Sequence, residues 1–178
     1  MKPRGPLMIE HRLIEKMLAV IKDQMSIMRK QNRIDPIFID AAVDFIRIYA
    51  DKTHHGKEED ILFRDLAAKK ISAEDKAAMQ ELIEEHKFAR KKVAELVQAK
   101  DDCLAGRKEA LKIVLDSLTT LVEFYPEHIR REDEAFFPDT EKYFTRAEQD
   151  AMLQEFWEFD RKMIHDKYNS VAEHWKQA

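Results

Sequence analysis

A repeated histidine pattern is the feature that most constrains how this chain can fold. Two ten-residue segments resemble each other, since residues 54–63 read HHGKEEDILF and residues 128–137 read HIRREDEAFF. Each segment begins with a histidine, carries a glutamate four residues later, and continues with a second acid and apolar residues. A further histidine precedes each segment at a nearly equal interval: 42 residues lie between His11 and His54, and 41 between His86 and His128. The chain therefore reads as two related helical hairpins.

Apolar residues recur at alternating spacings of three and four, which predicts amphipathic helices. The stripe of the first predicted helix includes a histidine: His11, Ile14, Leu18, Ile21, Met25 and Met28. Only three glycines and five prolines occur, which favours helices with short loops over a turn-rich β fold. We expect an all-α, up-down four-helix bundle over about residues 7–138, ended by Pro138, and an additional C-terminal helix over about 146–176, in a single domain spanning 1–178.

The spacing within each repeat favours metal coordination. Four residues along a helix rotate by about 40°, so the histidine and glutamate of a repeat project from one face, a turn apart. An antiparallel bundle can direct both pairs, and the two earlier histidines, at one point. We therefore predict a cavity lined by six candidate ligands: His11, His54, Glu58, His86, His128 and Glu132. Such a set suits two transition-metal ions bridged by the glutamates, and the ions would offset the cost of burying carboxylates.

Neighbouring residues leave alternatives open within each repeat. In the first repeat, His55 with Glu59 has the same spacing as the favoured pair, and helical periodicity does not choose between adjacent faces. Comparison with the second repeat favours the pair that begins the segment. In the second repeat Asp133 competes with Glu132, but a spacing of five from the histidine rotates it by about 140°. His165, on the last predicted helix, is expected to pack rather than to bind metal.

Composition argues against several other classes of protein. The single cysteine, Cys103, excludes an intrachain disulfide and cysteine-based metal sites, and it predicts a reducing, cytoplasmic location. The net charge of -4, with both signs interspersed, argues against a nucleic-acid partner. No apolar run is long enough to predict a membrane partner, and the sequence identifies no protein partner. The motifs of ferritin-like oxidases, Glu-x-x-His, and of zinc hydrolases, His-Glu-x-x-His, do not occur.

The order His, His-x-x-x-Glu, His, His-x-x-x-Glu, with EEDILF and EDEAFFP in the two repeats, resembles the hemerythrin-like HHE cation-binding domain over about residues 10–138. The resemblance implies a four-helix bundle that holds two Fe ions in an oxo- or hydroxo-bridged di-iron centre, with ligand roles for the six residues named above. Functions in the family include oxygen binding, sensing of oxygen or nitric oxide, and iron supply for iron-sulfur cluster repair. The oxygen-carrying members have two histidines four apart on the third helix, whereas Leu82 and Arg90 flank His86 at that spacing here.

Two functions follow as expectations. The favoured one is a non-haem di-iron protein that binds or reacts with a small molecule such as oxygen, nitric oxide or peroxide, in sensing, stress response or iron handling. The alternative is a metal-responsive helical interaction module without catalysis, in which the C-terminal helix moves with metal occupancy. A metal- and small-molecule-binding protein is favoured over a dedicated enzyme.

Overall fold

The structure, a computed structural model, describes residues 2–176. These residues form helices and contain no β-strand, which confirms the predicted all-α bundle with a C-terminal helix. The elements in chain order are α1 (Arg4–Gln31), α2 (Pro36–Asp44), the π-helical segments π1 (Phe45–His55) and π2 (Glu58–Phe63), α3 (Arg64–Ala67), α4 (Ala73–Leu104), α5 (Ala110–Arg131), π3 (Glu132–Phe136), α6 (Phe137–Thr140), a 3-10 turn (Glu141–Tyr143) and α7 (Arg146–Lys176). No helix in this part of the chain is apolar over a length sufficient to cross a lipid bilayer.

Local signals determine where the helices begin and end. The Asp35 side chain accepts a backbone hydrogen bond at the start of α2, and Pro36 occupies the first turn, where its missing N–H costs nothing. α1 ends at Asn32, whose left-handed φ of 50° is tolerated by asparagine better than by most residues. α7 begins with a capping box in which the Thr145 backbone donates to Glu148 at 2.8 Å and the Glu148 backbone donates to Thr145 at 3.3 Å.

Two apolar clusters lie at the two ends of the bundle. The first cluster joins α1, α2, π1, α4 and α5 through residues that include Leu18, Ile21, Ile39, Leu96, Val114, Leu118 and Leu121. The second cluster joins the other ends of these helices to α7 through residues that include Leu7, Ile61, Leu66, Leu82, Phe136, Met152 and Phe156. Each predicted histidine ligand lies on its helix between members of the two clusters. The candidate site is therefore enclosed by apolar packing above and below.

Two of the bundle helices widen into π-helix beside the site. The helix that follows the first connection is π-helical over Phe45–His55 and again over Glu58–Phe63. Hydrogen bonds in a π-helix span five residues, so the 3.6-residue period assumed from sequence does not hold there. As a result the adjacent residues His54 and His55 are both buried, each with 1% of its surface exposed.

The expected end of the fourth bundle helix at Pro138 is wrong. The helix continues from α5 through the π-helical segment Glu132–Phe136 and then through α6, which reaches Thr140. Proline cannot donate a backbone hydrogen bond, and Pro138 comes directly after the π-helical segment, where the α-helical bonding pattern is already interrupted.

We expect the attachment of α7 to depend on Phe156, which is fully buried in the second cluster. Phe156→Ala should lower the free energy of unfolding by about 3–5 kcal/mol, because it removes a large buried side chain and leaves a cavity. Trp157→Ala is the matched control, since Trp157 is 57% exposed, and it should cost less than about 0.5 kcal/mol. Urea unfolding monitored by circular dichroism measures both, and equal losses would contradict this account of α7.

Candidate metal centre

The structure places all six predicted ligands in one buried region. Four of them offer atoms within 4.8 Å of one another: His11, His54, Glu58 and Glu132. The other two belong to a second group with the same spacing limit, which also contains a residue outside the predicted set: His55, His86 and His128. None of these seven residues is more than 2% exposed. The two hairpins thus direct their histidines and glutamates at one enclosed volume.

The two glutamates lie between the two groups of histidines. The distances from carboxylate oxygen to imidazole Nε2 are 3.5 Å for Glu58 Oε1 to His54, 3.5 Å for Glu58 Oε2 to His86, 3.2 Å for Glu132 Oε2 to His11 and 3.4 Å for Glu132 Oε2 to His128. Each carboxylate therefore faces one imidazole from each group. This is the placement that a carboxylate bridging two metal ions requires.

The buried polar atoms at the centre lack hydrogen-bond partners. Within residues 2–176 this holds for Nε2 of His11, His54, His86 and His128 and for both carboxylate oxygens of Glu58 and Glu132. Leaving a buried polar atom unpaired costs about 1–3 kcal/mol, so such atoms are rare in folded proteins. Imidazole nitrogens and carboxylate oxygens that converge in this way are a donor set that iron and similar transition metals accept. The residues present therefore fit a two-metal site.

A carboxylate orients each of the four predicted histidine ligands from behind. The Nδ1 atoms donate to acids in four pairs: His11 to Asp133, His54 to Glu10, His86 to Glu59 and His128 to Glu85, at 2.7, 2.9, 2.7 and 2.7 Å, respectively. Because an ionised carboxylate only accepts, each Nδ1 carries a proton, and in a neutral ring Nε2 then keeps the lone pair that can bind a metal. Carboxylate-histidine-metal arrangements of this kind fix the ring orientation and strengthen the ligand.

These four acids follow the internal repeat, although sequence reasoning weighed two of them only as alternative ligands and gave the other two no role. Two of them, Glu10 and Glu85, directly precede the first histidine of each hairpin, and each accepts from the later histidine of its own hairpin. The other two, Glu59 and Asp133, are the second acids of the repeats, and each accepts from the first histidine of the opposite hairpin. The repeated Glu-His dipeptide was the sequence signal that could have identified the first two.

His55 is a functional candidate that the sequence prediction set aside. The alternatives in the first repeat are not exclusive, because the π-helical backbone buries both adjacent histidines. Nδ1 of His55 lies 3.4 Å from Asp51, and its ring stacks on His86 with centroids 3.8 Å apart and planes at 7°. A single ion cannot lie in the planes of two parallel, stacked rings. His55 can therefore join His86 on one ion only if one of the two rings tilts.

The other sequence alternatives take supporting positions. Glu59 and Asp133 lie outside both groups and hold histidines from behind. Arg90, four residues after His86, contacts both Asp51 and Glu59 at 2.7 Å and so holds the acids beside the second group. His165 lies outside both groups, and its side chain is exposed on α7, so its predicted packing role is wrong.

Burial and neighbouring charges raise the pKa of one of the predicted imidazole ligands and lower the pKa of two others. Burial opposes protonation of His11, but its hydrogen bond to Asp133 and the adjacent Glu132 carboxylate outweigh this and raise its pKa to about 9. Burial lowers the pKa of His54 to about 4 and that of His128 also to about 4. His54 and His128 are thus neutral and able to coordinate at pH 7, whereas His11 must release a proton.

In the metal-free chain the pKa values of the two buried glutamates are shifted in opposite directions. Burial, and then the negative charge of Glu132, raises the pKa of Glu58 well above its ordinary value. Burial acts against ionisation of Glu132 as well, but His128 and His11 outweigh it and hold its pKa well below the ordinary value. One carboxylate is therefore ionised and the other protonated. Cations between them would favour ionisation of both.

A cavity of about 250 Å³ lies between π1, α4 and α5 and reaches the second group of histidines. Its walls include the apolar residues Ile46, Ala89 and Val93, and its lining includes His55 and Tyr125. The Tyr125 hydroxyl is buried and has no hydrogen-bond partner in the part of the chain described here. Charged residues, among them Asp51 and Arg90, also line the cavity, so it offers a small molecule a space with both apolar and charged walls beside His55.

Comparison with known families places this geometry in context. Residues 6–140 match the family described as the hemerythrin HHE cation binding domain. The chain belongs to this family. The match ends at residue 140, so α7, which begins at Arg146, lies outside the matched hemerythrin domain. Searches of curated proteins and of solved structures gave no match.

The pKa shifts of three buried histidines predict that each contributes to a decline in the stability of the metal-free protein on one side of pH 6.5. The pKa of His11 is raised from 6.5 to about 9, so its contribution is complete below pH 6.5 and is lost as the pH rises through about 9. The pKa values of His54 and His128 are lowered to about 4, so their contributions are present above pH 6.5 and are lost as the pH falls through about 4. Each group changes the stability by roughly 1.4 kcal/mol per pH unit within its window.

Urea unfolding of the metal-free chain across these pH values tests the assignment. The variant His11→Gln should weaken the alkaline decline, to which the raised pKa values of His86 and Glu58 also contribute, and should keep the acidic one, because His54 and His128 are unchanged. An alkaline decline as steep as in the wild type would show that His11 is assigned wrongly.

Proposed function

We propose that this hemerythrin-family protein holds two non-haem iron ions between its hairpins. His11 and His54 would hold one ion, His86 and His128 would hold the other with His55 as a third imidazole, and Glu58 and Glu132 would lie between the two. The observation that carries the proposal is the convergence of unpaired buried nitrogen and oxygen atoms described above. Neighbouring carboxylates already orient four of the imidazoles, so the main rearrangement needed for binding is a tilt within the stacked pair of His55 and His86.

The proposed ligand of the iron centre is oxygen, nitric oxide or peroxide. Bound iron would supply the redox and Lewis-acid chemistry that such molecules require. The chain contributes an enclosed site, the cavity that His55 and Arg90 line, and the Tyr125 hydroxyl as a hydrogen-bond donor. These features support a role in sensing, in stress response or in iron handling, with binding of the small molecule as the central event.

Metal content per chain after anaerobic purification tests the proposal. We expect about two iron ions per wild-type chain and a change in the optical spectrum when oxygen or nitric oxide is added. Glu132→Gln should lose metal, because it removes a proposed bridging carboxylate and its charge. Glu134→Gln is the matched control, since Glu134 is exposed two residues further along the same segment, and it should keep both ions. A folded wild-type chain that binds no metal would overturn the proposal.

A metal-responsive interaction module is the second candidate. The observation that favours it is the contact of α7 with the helix that carries two ligands, where Phe159 packs against Gly56. If α7 moves with metal occupancy, limited proteolysis should cut its exposed second half at different rates in the metal-free and iron-loaded chains. Identical cleavage of α7 in both forms, with two ions bound in one of them, would eliminate this candidate.

A further inference from the structure

A fully buried lysine connects the C-terminal helix with the candidate metal centre. Lys57 follows the two histidines of the first repeat and has no exposed surface. A buried ammonium group requires compensating acids, and Lys57 has two of them. Its Nζ donates a hydrogen bond to Glu10 of α1 and lies 2.7 Å from Oδ1 of Asp160 on α7.

The same glutamate holds one of the proposed iron ligands. Glu10 uses Oε1 for Lys57 and Oε2 for Nδ1 of His54, at 2.9 Å. Asp160, Lys57, Glu10 and His54 therefore form a continuous chain of contacts from α7 to the centre. Burial opposes ionisation of Glu10, but His54 and Lys57 outweigh it and keep the pKa of this carboxyl below its ordinary value.

Close packing holds α7 in position at this point. A Cβ atom at Gly56 would lie 2.8 Å from Cζ of Phe159, so a larger residue there would require the Phe159 ring or α7 itself to move. The Lys57 ammonium group also lies 5.8 Å from the centre of the Phe156 ring, within the range of a cation–π contact. Phe156 and Phe159, which precede Asp160 on α7, thus fix where Asp160 meets Lys57.

The second hairpin shows what the arrangement would be without α7. Arg131 occupies the position that Lys57 has in the first repeat, three residues after the histidine, and it pairs with Glu85, the counterpart of Glu10. Arg131 is 34% exposed, so solvent compensates its charge, and its other acid, Glu81, is a loose surface contact at 3.4 Å. Only the first hairpin buries its cation and requires an acid from α7. Asp160 therefore has no counterpart in the second hairpin.

We infer that Asp160, through Lys57 and Glu10, positions His54 for metal binding, so that α7 is a working part of one of the two metal sites. This inference rests on the proposed di-iron function and extends it to a helix outside the matched domain. With Asp160 uncharged, the ammonium group of Lys57 has one acid left and competes with His54 for both oxygens of Glu10. The imidazole then loses its fixed orientation and part of its strength as a ligand.

Anaerobic titration with Fe(II) against a competing chelator measures the effect in the full chain. In Asp160→Asn we expect one of the two ions to bind about tenfold more weakly and the other to bind as in the wild type, at the lower end of the effect of losing an outer carboxylate. Asp160→Glu keeps the charge and should restore most of the affinity. Glu81→Gln, the matched change in the second hairpin, should leave both ions unaffected.

Proton NMR of the metal-free chain gives a second readout that does not depend on iron. The Nδ1–H proton of His54 should give a downfield signal, assigned by its loss in Glu10→Gln, and Asp160→Asn should shift it. Lys57→Gln breaks the chain one residue closer to His54 and should weaken the same ion at least as much. Folded Asp160→Asn and Lys57→Gln variants that keep wild-type affinity for both ions would overturn the inference.

The two readouts also separate this inference from the proposed function. A wild-type chain that binds no iron would contradict the proposed function, and the NMR signal of His54 would still decide whether Asp160 positions that ring. An unshifted His54 signal in Asp160→Asn, with two ions bound normally, would contradict the positioning role alone.

Discussion

Two carboxylates without solvent contact impose the constraint on which the rest of this structure depends. Glu58 and Glu132 are fully buried, and their ion-pair partners among residues 2–176 are the imidazoles His11, His54, His86 and His128. Burying such groups is costly unless cations lie between them. The acids behind the histidines bind the Nδ1 atoms and so turn Nε2 of each ring inward. The bundle's apolar clusters then hold this polar layer in place from both sides.

Sequence reasoning reached the bundle and the six inward side chains because both depend on helical periodicity and on the internal repeat. The all-α fold is confirmed, and the predicted ligands lie together, although metal binding by them stays a prediction. His55 was set aside because its burial depends on π-helical turns, which no 3.6-residue period describes. The continuation past Pro138 has a related cause, since a π-helical segment precedes α6.

The two halves of the centre differ in their surroundings more than their repeated sequences suggest. On the His54 side, α7 covers the site and Asp160 compensates the buried Lys57. On the opposite side, the cavity beside Tyr125 reaches the group of three histidines. The contact between Asp160 and Lys57 could not be predicted from the repeat, because α7 has no counterpart in it. We therefore propose that small molecules approach the centre on the side of Tyr125 and that α7 positions a ligand on the side of His54.

A crystal structure of the iron-loaded chain, with anomalous scattering measured at the iron absorption edge, tests the central claim most directly. The account predicts two anomalous peaks between the hairpins, one beside Nε2 of His11 and His54 and one beside Nε2 of His86 and His128. Glu58 and Glu132 should each contact both ions. A single peak, or iron bound elsewhere while these side chains stay unoccupied, would contradict it.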